Sequence, residues 1–165
     1  MRRLILLRHA KSSWGNPTLA DIDRSLNDRG RHDAPLMAQR LLRAGTHPDC
    51  IFCSTARRTC ETVAEVLAAF GMPAGAVSYR EDLYLASVRT AERVIAGAPD
   101  TATTVLVVGH NPTCTELANR YGDLAIDNVP TCGCVTIDLD IAAWSEIGSA
   151  RGTTVGFDYP KRAVS

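Results

Sequence analysis

The sequence has no excess of charge of either sign. It contains 18 Lys and Arg residues against 18 Asp and Glu residues, so its formal net charge at pH 7 is zero. A polyanion such as nucleic acid is usually bound by a protein with a clear positive excess. We therefore expect no nucleic-acid partner, and a site for an anion must be a local cluster of basic side chains.

Long hydrophobic runs are also lacking. No apolar stretch reaches the ~20 residues that a membrane helix requires, and the apolar run at residues 4–7 is far too short for the core of a signal peptide. We expect a cytoplasmic protein with no membrane partner. Internal repeats and low-complexity tracts are absent from the sequence as well. With 165 residues, 45% of them hydrophobic, the chain predicts a single domain over residues 1–165.

Six cysteines are present, but a reducing compartment favours free thiols over disulfides. The pairs Cys50/Cys53 and Cys132/Cys134 leave one alternative, a four-thiolate zinc site in an interaction domain. Against this alternative, Cys50 and Cys53 are predicted to lie on one strand, where alternation sends them to opposite faces of the sheet. The sequence therefore predicts no metal site.

Apolar runs of strand length alternate with helical periodicity through most of the chain. Strands are predicted at residues 3–7, 49–53, 76–79 and 104–108, and helices at residues 29–44, 56–70 and 90–96. This order is typical of an α/β fold, a three-layer α/β/α sandwich with a mostly parallel sheet. Two later segments, residues 134–139 and 153–157, alternate like the strands of a hairpin-like excursion, so we expect the sheet to be mixed.

Basic side chains and histidines follow three of the predicted strands. Arg8 and His9 come directly after the first strand, Arg58 follows the second, and His110 follows the strand at 104–108. Because the carboxyl ends of parallel strands meet at one edge of a sheet, we expect these side chains to lie together. The helices that begin nearby add the positive ends of their dipoles. Guanidinium groups match the oxygens of a phosphoryl group, so the sequence indicates phosphate chemistry.

These motifs resemble those of the histidine phosphatase superfamily. The matching segments are Arg8-His9-Ala10, the spaced set Ser54, Arg58 and Thr62, and Gly109-His110. Further segments are most similar to the small SixA-type phosphohistidine phosphatases, namely Asp23-Arg24-Ser25-Leu26, Arg29-Gly30 and Asp82-Leu83-Tyr84. The resemblance extends from residue 3 to about residue 144. These motifs, taken together and in the right order, are a far stronger signal than any one of them.

The resemblance implies a phosphatase with a phosphoglycerate mutase-like fold and without a metal or organic cofactor. His9 would attack phosphorus in line and carry the phosphoryl group until water removes it, through its neutral imidazole. Arg8, Arg58 and His110 would hold the equatorial oxygens. The implied substrate is phosphohistidine on a protein. A small phosphomonoester is the alternative substrate, and a non-catalytic phosphate-binding module is the alternative function.

The sequence leaves the proton donor open. Relatives of this kind place an acid between the second motif and the distal histidine, where this chain has Glu81 and Asp82. A departing alkoxide needs such an acid, whereas a departing imidazole needs much less help. Ser12 and Asn111 are further candidates for phosphate binding, although Asn111 could instead cap the next helix.

The connection over residues 12–26 is long for a compact domain, and such loops are often functional. Within it, Asp23 and Arg24 could form an ion pair that fixes the loop or supports the site. As an exposed pair it would add little stability. Arg57, next to the candidate Arg58, is expected at the surface.

Overall fold

A computed structural model describes residues 1–163, in which one six-stranded sheet carries helices on both faces. The strands are β1 (Arg2–Arg8), β2 (Cys50–Ser54), β3 (Val77–Arg80), β4 (Thr104–Gly109), β5 (Cys134–Leu139) and β6 (Gly152–Asp158). The helices are α1 (Asp28–Arg43), α2 (Arg57–Phe70), α3 (Val88–Ala96) and α4 (Thr113–Tyr121). Short 3-10 helices lie at Asp21–Asp23, Ala74–Ala76, Glu81–Leu83 and Trp144–Ser149.

The strand order across the sheet is β3-β2-β4-β1-β5-β6. The first four of these strands run parallel to one another, while β5 is antiparallel to β1 and β6 is antiparallel to β5. The predicted three-layer α/β/α architecture with a mostly parallel, mixed sheet is therefore confirmed. Three strands of the parallel part, β1, β2 and β4, end side by side.

The apolar run of β1 is buried on both faces of the sheet. Leu4 and Leu6 pack into a cluster with α3 and α4, and Ile5 and Leu7 pack into a second cluster with α1 and α2. A central strand covered on both sides has no polar face, which is why this segment is continuously apolar rather than alternating. No helix within residues 1–163 has the length and apolar character needed to cross a membrane.

Side-chain caps set the starts of two helices earlier than the sequence periodicity predicted. The Asn27 side chain accepts a hydrogen bond from the Gly30 N–H (2.9 Å), so α1 starts one residue early. The Ser87 hydroxyl accepts from the Thr90 N–H (3.2 Å), so α3 starts two residues early. Such caps satisfy backbone donors that have no partner within the helix. The spacing of apolar residues does not show where a cap lies, so it does not predict these starts.

The two cysteines of β2 point to opposite faces of the sheet, as predicted. Cys53 belongs to the cluster with α1 and α2, whereas Cys50 packs against the cluster with α3 and α4. Across residues 1–163, no group of three or more His, Cys, Asp or Glu side chains is arranged to hold a metal ion.

Gly30 allows α1 to lie against the segment that follows β1. A Cβ atom at Gly30 would lie 2.1 Å from the Lys11 carbonyl oxygen, which already accepts from the Asn27 N–H (2.9 Å). Because the obstacle is backbone, we expect Gly30→Ala to lower the free energy of unfolding by ~1–3 kcal/mol in urea denaturation. Gly75→Ala is the matched control, since nothing lies within 4 Å of its added Cβ. Equal losses in both variants would contradict this steric explanation.

Candidate active site

The ends of β1, β2 and β4 bring together the side chains that the sequence predicted at one edge. The rings of His9 and His110 lie with their centroids 5.4 Å apart. The Arg58 Nη2 atom, from the start of α2, lies 3.5 Å from His110 Nδ1. Arg8 ends β1 and pairs in register with Gly109, the residue before His110. The predicted grouping of two arginines and two histidines is therefore present.

His9 is buried, with 8% of its surface exposed, and its ring is fixed by the backbone. Its Nδ1 atom lies 2.7 Å from the Ala10 carbonyl oxygen, so Nδ1 carries the proton and donates. Burial is the main cause that lowers the pKa of His9 to about 3, and the nearby His110 and Arg58 lower it further, against the raising effect of the Ala10 carbonyl. At neutral pH, His9 is an uncharged imidazole whose Nε2 atom keeps its lone pair.

His110 is also buried and uncharged. Arg58 has only donors, so the His110 Nδ1 atom beside it is an acceptor, and the Nε2 atom donates to the Ser54 hydroxyl (2.8 Å). Burial, followed by the Arg58 charge, lowers the pKa of His110 to about 4. The positive charge of the site therefore comes from its guanidinium groups and not from its histidines.

Arg8 offers a donor that the protein leaves unused. Its Nη1 atom donates to the Val129 carbonyl (3.0 Å), but its buried Nε atom has no hydrogen-bond partner within the described part of the chain. Buried N–H groups are rarely left unpaired, so this donor suits an oxyanion. Asn111 donates to the same Val129 carbonyl (3.0 Å), and its side-chain oxygen accepts from the Thr115 N–H (3.2 Å) in α4. The Asn111 side chain therefore accepts from a first-turn N–H of α4 and shares the Val129 carbonyl with Arg8, so both ends of its amide have partners within the protein.

Asp21, which was not among the predicted site residues, holds Arg58 in place. One carboxylate oxygen accepts from Arg58 Nη2 (3.0 Å) and from the Tyr84 hydroxyl, while the other accepts from Arg24 Nη1 (2.8 Å). The Asp21 backbone carbonyl accepts a further bond from Arg58 Nη1 (2.8 Å). The Tyr84 hydroxyl and the two guanidinium groups hold the pKa of Asp21 well below its usual range, so the carboxylate is ionised at neutral pH.

Of the two roles that the sequence left open for Asp23 and Arg24, the ion pair between them does not form within residues 1–163. Arg24 pairs with Asp21, is buried, and has its guanidinium carbon 3.3 Å from the centroid of the exposed Trp14 ring. Arg24 pairs with Asp21 because residues 21–23 form a 3-10 helix. On such a helix, side chains three residues apart lie on the same side. Arg24 also donates a hydrogen bond to the Ser12 hydroxyl. Ser12, a predicted phosphate ligand, is therefore bonded to the guanidinium group of Arg24.

The two predicted proton donors, Glu81 and Asp82, do not hydrogen-bond to His9. Glu81 and Asp82 are exposed, and Asp82 forms a two-pronged ion pair with Arg80 (2.9 and 3.1 Å). In the described residues, neither carboxylate hydrogen-bonds to His9 or His110. Their short 3-10 helix buries its third residue and leaves the first two in solvent. Tyr84, from the same segment, reaches the site instead and meets the His110 ring edge-on, with centroids 5.5 Å apart.

The second motif joins the start of α2 to the nucleophile segment. The Thr62 hydroxyl accepts from the Ala10 N–H (3.0 Å) and donates to the Arg58 carbonyl (2.7 Å). Arg57 lies at the surface as expected, 3.3 Å from Glu61 one turn along α2. The motif therefore contributes one guanidinium to the site and fixes the backbone beside His9.

An α/β sheet edge that carries two neutral, buried histidines between arginines is the arrangement that the resemblance to the histidine phosphatases implied. The sequence model of the histidine phosphatase superfamily (branch 1) matches residues 4–84. Rv1276c of Mycobacterium tuberculosis is 33% identical over 165 residues, which cover 94% of this chain and 100% of that protein. The chain belongs to the histidine phosphatase superfamily, and this membership supports a phosphatase, a hydrolase of phosphoryl groups.

Solved structures give the same result for the fold. A protein of Agrobacterium tumefaciens assigned as the phosphohistidine phosphatase SixA matches with a TM-score of 0.80 and 28% identity, covering 96% of this chain and 98% of that chain. The protein of Nakamurella multipartitia with the same assignment matches with a TM-score of 0.77 and 30% identity, covering 98% and 97%. The predicted phosphoglycerate mutase-like fold is thereby confirmed.

Proposed function

We propose that this phosphatase hydrolyses phosphohistidine on a partner protein, with His9 as the nucleophile. The observation that carries the proposal is the state of His9, a neutral buried imidazole whose Nδ1 proton is held by the Ala10 carbonyl (2.7 Å). A histidine nucleophile must attack as the neutral ring with one nitrogen fixed and the other free. The other nitrogen, Nε2, is the atom that attacks.

In the proposed reaction, His9 Nε2 forms a bond to phosphorus while the bond from phosphorus to the substrate imidazole breaks. Arg8 and Arg58 hold the equatorial oxygens, and the unpartnered Nε atom of Arg8 supplies one ready donor. His110 joins them when its Nδ1 atom takes up a proton beside the bound phosphoryl dianion. Water then attacks the phosphorylated His9, releases inorganic phosphate and restores the free imidazole. Positioning and charge carry most of the catalysis, as is general for phosphoryl transfer.

Within residues 1–163, no carboxyl group hydrogen-bonds to His9, which supports phosphohistidine over a phosphomonoester as the substrate. Asp21 is held ionised by its donors, and Glu81 and Asp82 are exposed and do not hydrogen-bond to His9 or His110 in the described residues. An alkoxide leaves slowly without a general acid, whereas an imidazole can leave already protonated. The geometry therefore favours a substrate with a phosphorus–nitrogen bond.

A side-by-side turnover assay tests the proposal. Its substrates are a phosphohistidine protein, a phosphohistidine peptide, and aryl and alkyl phosphomonoesters. We expect phosphohistidine to exceed the alkyl phosphate in kcat/KM by at least the ~10²–10⁴-fold that a general acid supplies. Glu81→Gln and Asp82→Asn should each retain most phosphohistidine activity.

Faster turnover of an alkyl phosphate than of phosphohistidine would contradict the proposal and favour a small-molecule phosphomonoesterase. Binding of phosphate compounds without turnover of any of them would favour the phosphate-binding module. A severe loss of phosphohistidine activity in Glu81→Gln would show that an exposed carboxylate moves into the site during the reaction.

A further inference from the structure

A groove of about 290 Å³ lies beside the catalytic site. We call it the lysine groove, and its lining includes Lys11, Arg29, Asp33, Pro130, Tyr159 and Lys161. None of these side chains takes part in the proposed reaction. The groove therefore needs a separate explanation.

The lysine groove and the catalytic site share the carboxyl edge of the sheet. Lys11 lies two residues after His9, and Pro130 directly follows Val129, whose carbonyl accepts from Arg8. Tyr159 and Lys161 follow β6, which runs parallel to β1 because both strands are antiparallel to β5. The groove and the phosphate pocket therefore share one edge of the sheet, as a polypeptide bound to both would require.

Both lysines of the sequence line the lysine groove. The sequence has only two lysines among its 18 basic residues, and both Lys11 and Lys161 line the groove. Arg29 is the third cation, but it lies 3.5 Å from the carboxylate of Asp33, which offsets its charge. Among the ion pairs of residues 1–163, none involves Lys11 or Lys161, so a chain with zero net charge places two ammonium groups without a carboxylate partner in one groove.

The chemistry of the lining differs from that of the phosphate pocket. A lysine ammonium is a hydrated point charge on a flexible stem, whereas the planar guanidinium groups of Arg8 and Arg58 suit two-pronged contacts with phosphate. Tyr159 and Pro130 give the groove apolar walls, and tyrosine is enriched where proteins meet proteins. These features fit carboxylate side chains on a polypeptide better than a second phosphoryl group.

We propose that the lysine groove binds an acidic segment of the phosphorylated partner protein, so that the partner is selected beside the phosphate pocket. This inference rests on the proposed function for the identity of the partner. The charge of the groove, through Lys11 and Lys161, attracts the acidic segment and lowers KM without entering the chemical step.

Selective acetylation of amines tests binding without any turnover. The amines of the chain are the Met1 α-amine, Lys11 and Lys161, and Met1 precedes β1 at the opposite edge of the sheet, where it serves as the internal reference. The probe is a ten-residue peptide of alternating Glu and Gly, with its Gln and Gly counterpart as the control. We expect the acidic peptide alone to slow acetylation of Lys11 and Lys161 relative to Met1. Equal rates with both peptides would overturn the proposal.

Steady-state kinetics test the consequence for the substrate. For the double variant Lys11→Gln/Lys161→Gln, we expect kcat/KM on an acidic phosphohistidine protein to fall about tenfold at low ionic strength, through KM. The loss should shrink at high salt, where the Debye length falls to about 3 Å. Activity on a small phosphoramidate should stay at the wild-type level. The control with the same change in charge is Arg43→Gln/Arg89→Gln, since both arginines are exposed and do not line the groove.

The outcomes separate the groove from the proposed function. Equal losses on the protein and on the small phosphoramidate, or no loss on the protein, would overturn the role of the groove. Failure of the wild-type enzyme to hydrolyse either phosphoramidate would refute the proposed function, while the acetylation experiment would still decide whether the groove binds an acidic segment.

Discussion

Replacing His9 by Gln should lower turnover of phosphohistidine by at least ~10⁴-fold, the scale of loss when a nucleophile is removed. The amide keeps much of the volume of the imidazole but has no nitrogen that can accept the phosphoryl group. In rapid-quench labelling, the wild-type enzyme should carry a phosphoramidate that is stable in alkali and lost in acid, and His9→Gln should carry none. His47→Gln, the same change at an exposed histidine, is the matched control.

A folding measurement across pH shows whether His9→Gln remains native. The pKa of His9 is lowered to about 3 in the folded protein from the usual 6.5, so below pH ~6.5 the unfolded chain binds a proton that the native state excludes. The free energy of unfolding of the wild type therefore falls as pH drops from 6.5 toward 3. Between pH 7 and pH 5, the free energy of unfolding should fall by about 2 kcal/mol less in His9→Gln than in the wild type.

Two results would contradict the assignment of His9. One is wild-type turnover by His9→Gln that is folded by circular dichroism. The other is an acid-stable phosphoester on Ser or Thr in the labelled wild-type enzyme. His110, whose pKa is lowered to about 4, is present in both proteins and does not affect the comparison.

The sequence was sufficient to predict the fold and the main arginines and histidines of the site, because their positions depend on local patterns. Each of Arg8, His9 and His110 directly follows or ends a buried strand, and Arg58 lies in the first turn of a helix. Once β1, β2 and β4 are parallel, their carboxyl ends, and these side chains with them, lie at one edge of the sheet.

The sequence was not sufficient where the site depends on loop conformation. By sequence alone, Arg24 could pair with Asp21 or with Asp23. The 3-10 helix at residues 21–23 is what brings Arg24 to Asp21. In the same way, the turn at residues 81–83 exposes the two predicted acids and directs Tyr84 toward His110. The spacing of three residues between Asp21 and Arg24 was the available signal, since it matches one turn of a 3-10 helix.

Asp21→Asn should lower kcat/KM for phosphohistidine by about 10²-fold, because small displacements of a phosphate-binding group cost that much. The amide is nearly the same shape, but it loses the charge that strengthens its bonds with Arg58 (3.0 Å) and Arg24 (2.8 Å). Asp21 is a positioning residue in this scheme, so vanadate, a mimic of the transferred phosphoryl group, should also bind more weakly. Asp23→Asn is the matched control, since the carboxylate that contacts Arg58 is that of Asp21.

The pattern across substrates distinguishes positioning from acid catalysis by Asp21. If Asp21 orients Arg58, Asp21→Asn should lose activity to a similar degree on phosphohistidine and on an alkyl phosphate, and Asp21→Glu should recover part of it. If Asp21 instead donated a proton, the loss would be confined to the alkyl phosphate and vanadate binding would be unchanged. Because three donors hold the pKa of Asp21 well below its usual range, its charge should persist down to about pH 4, and acid should not reproduce the Asn phenotype above that pH. A wild-type rate that fell steeply between pH 6 and pH 4, with no such fall in Asp21→Asn, would contradict the positioning role.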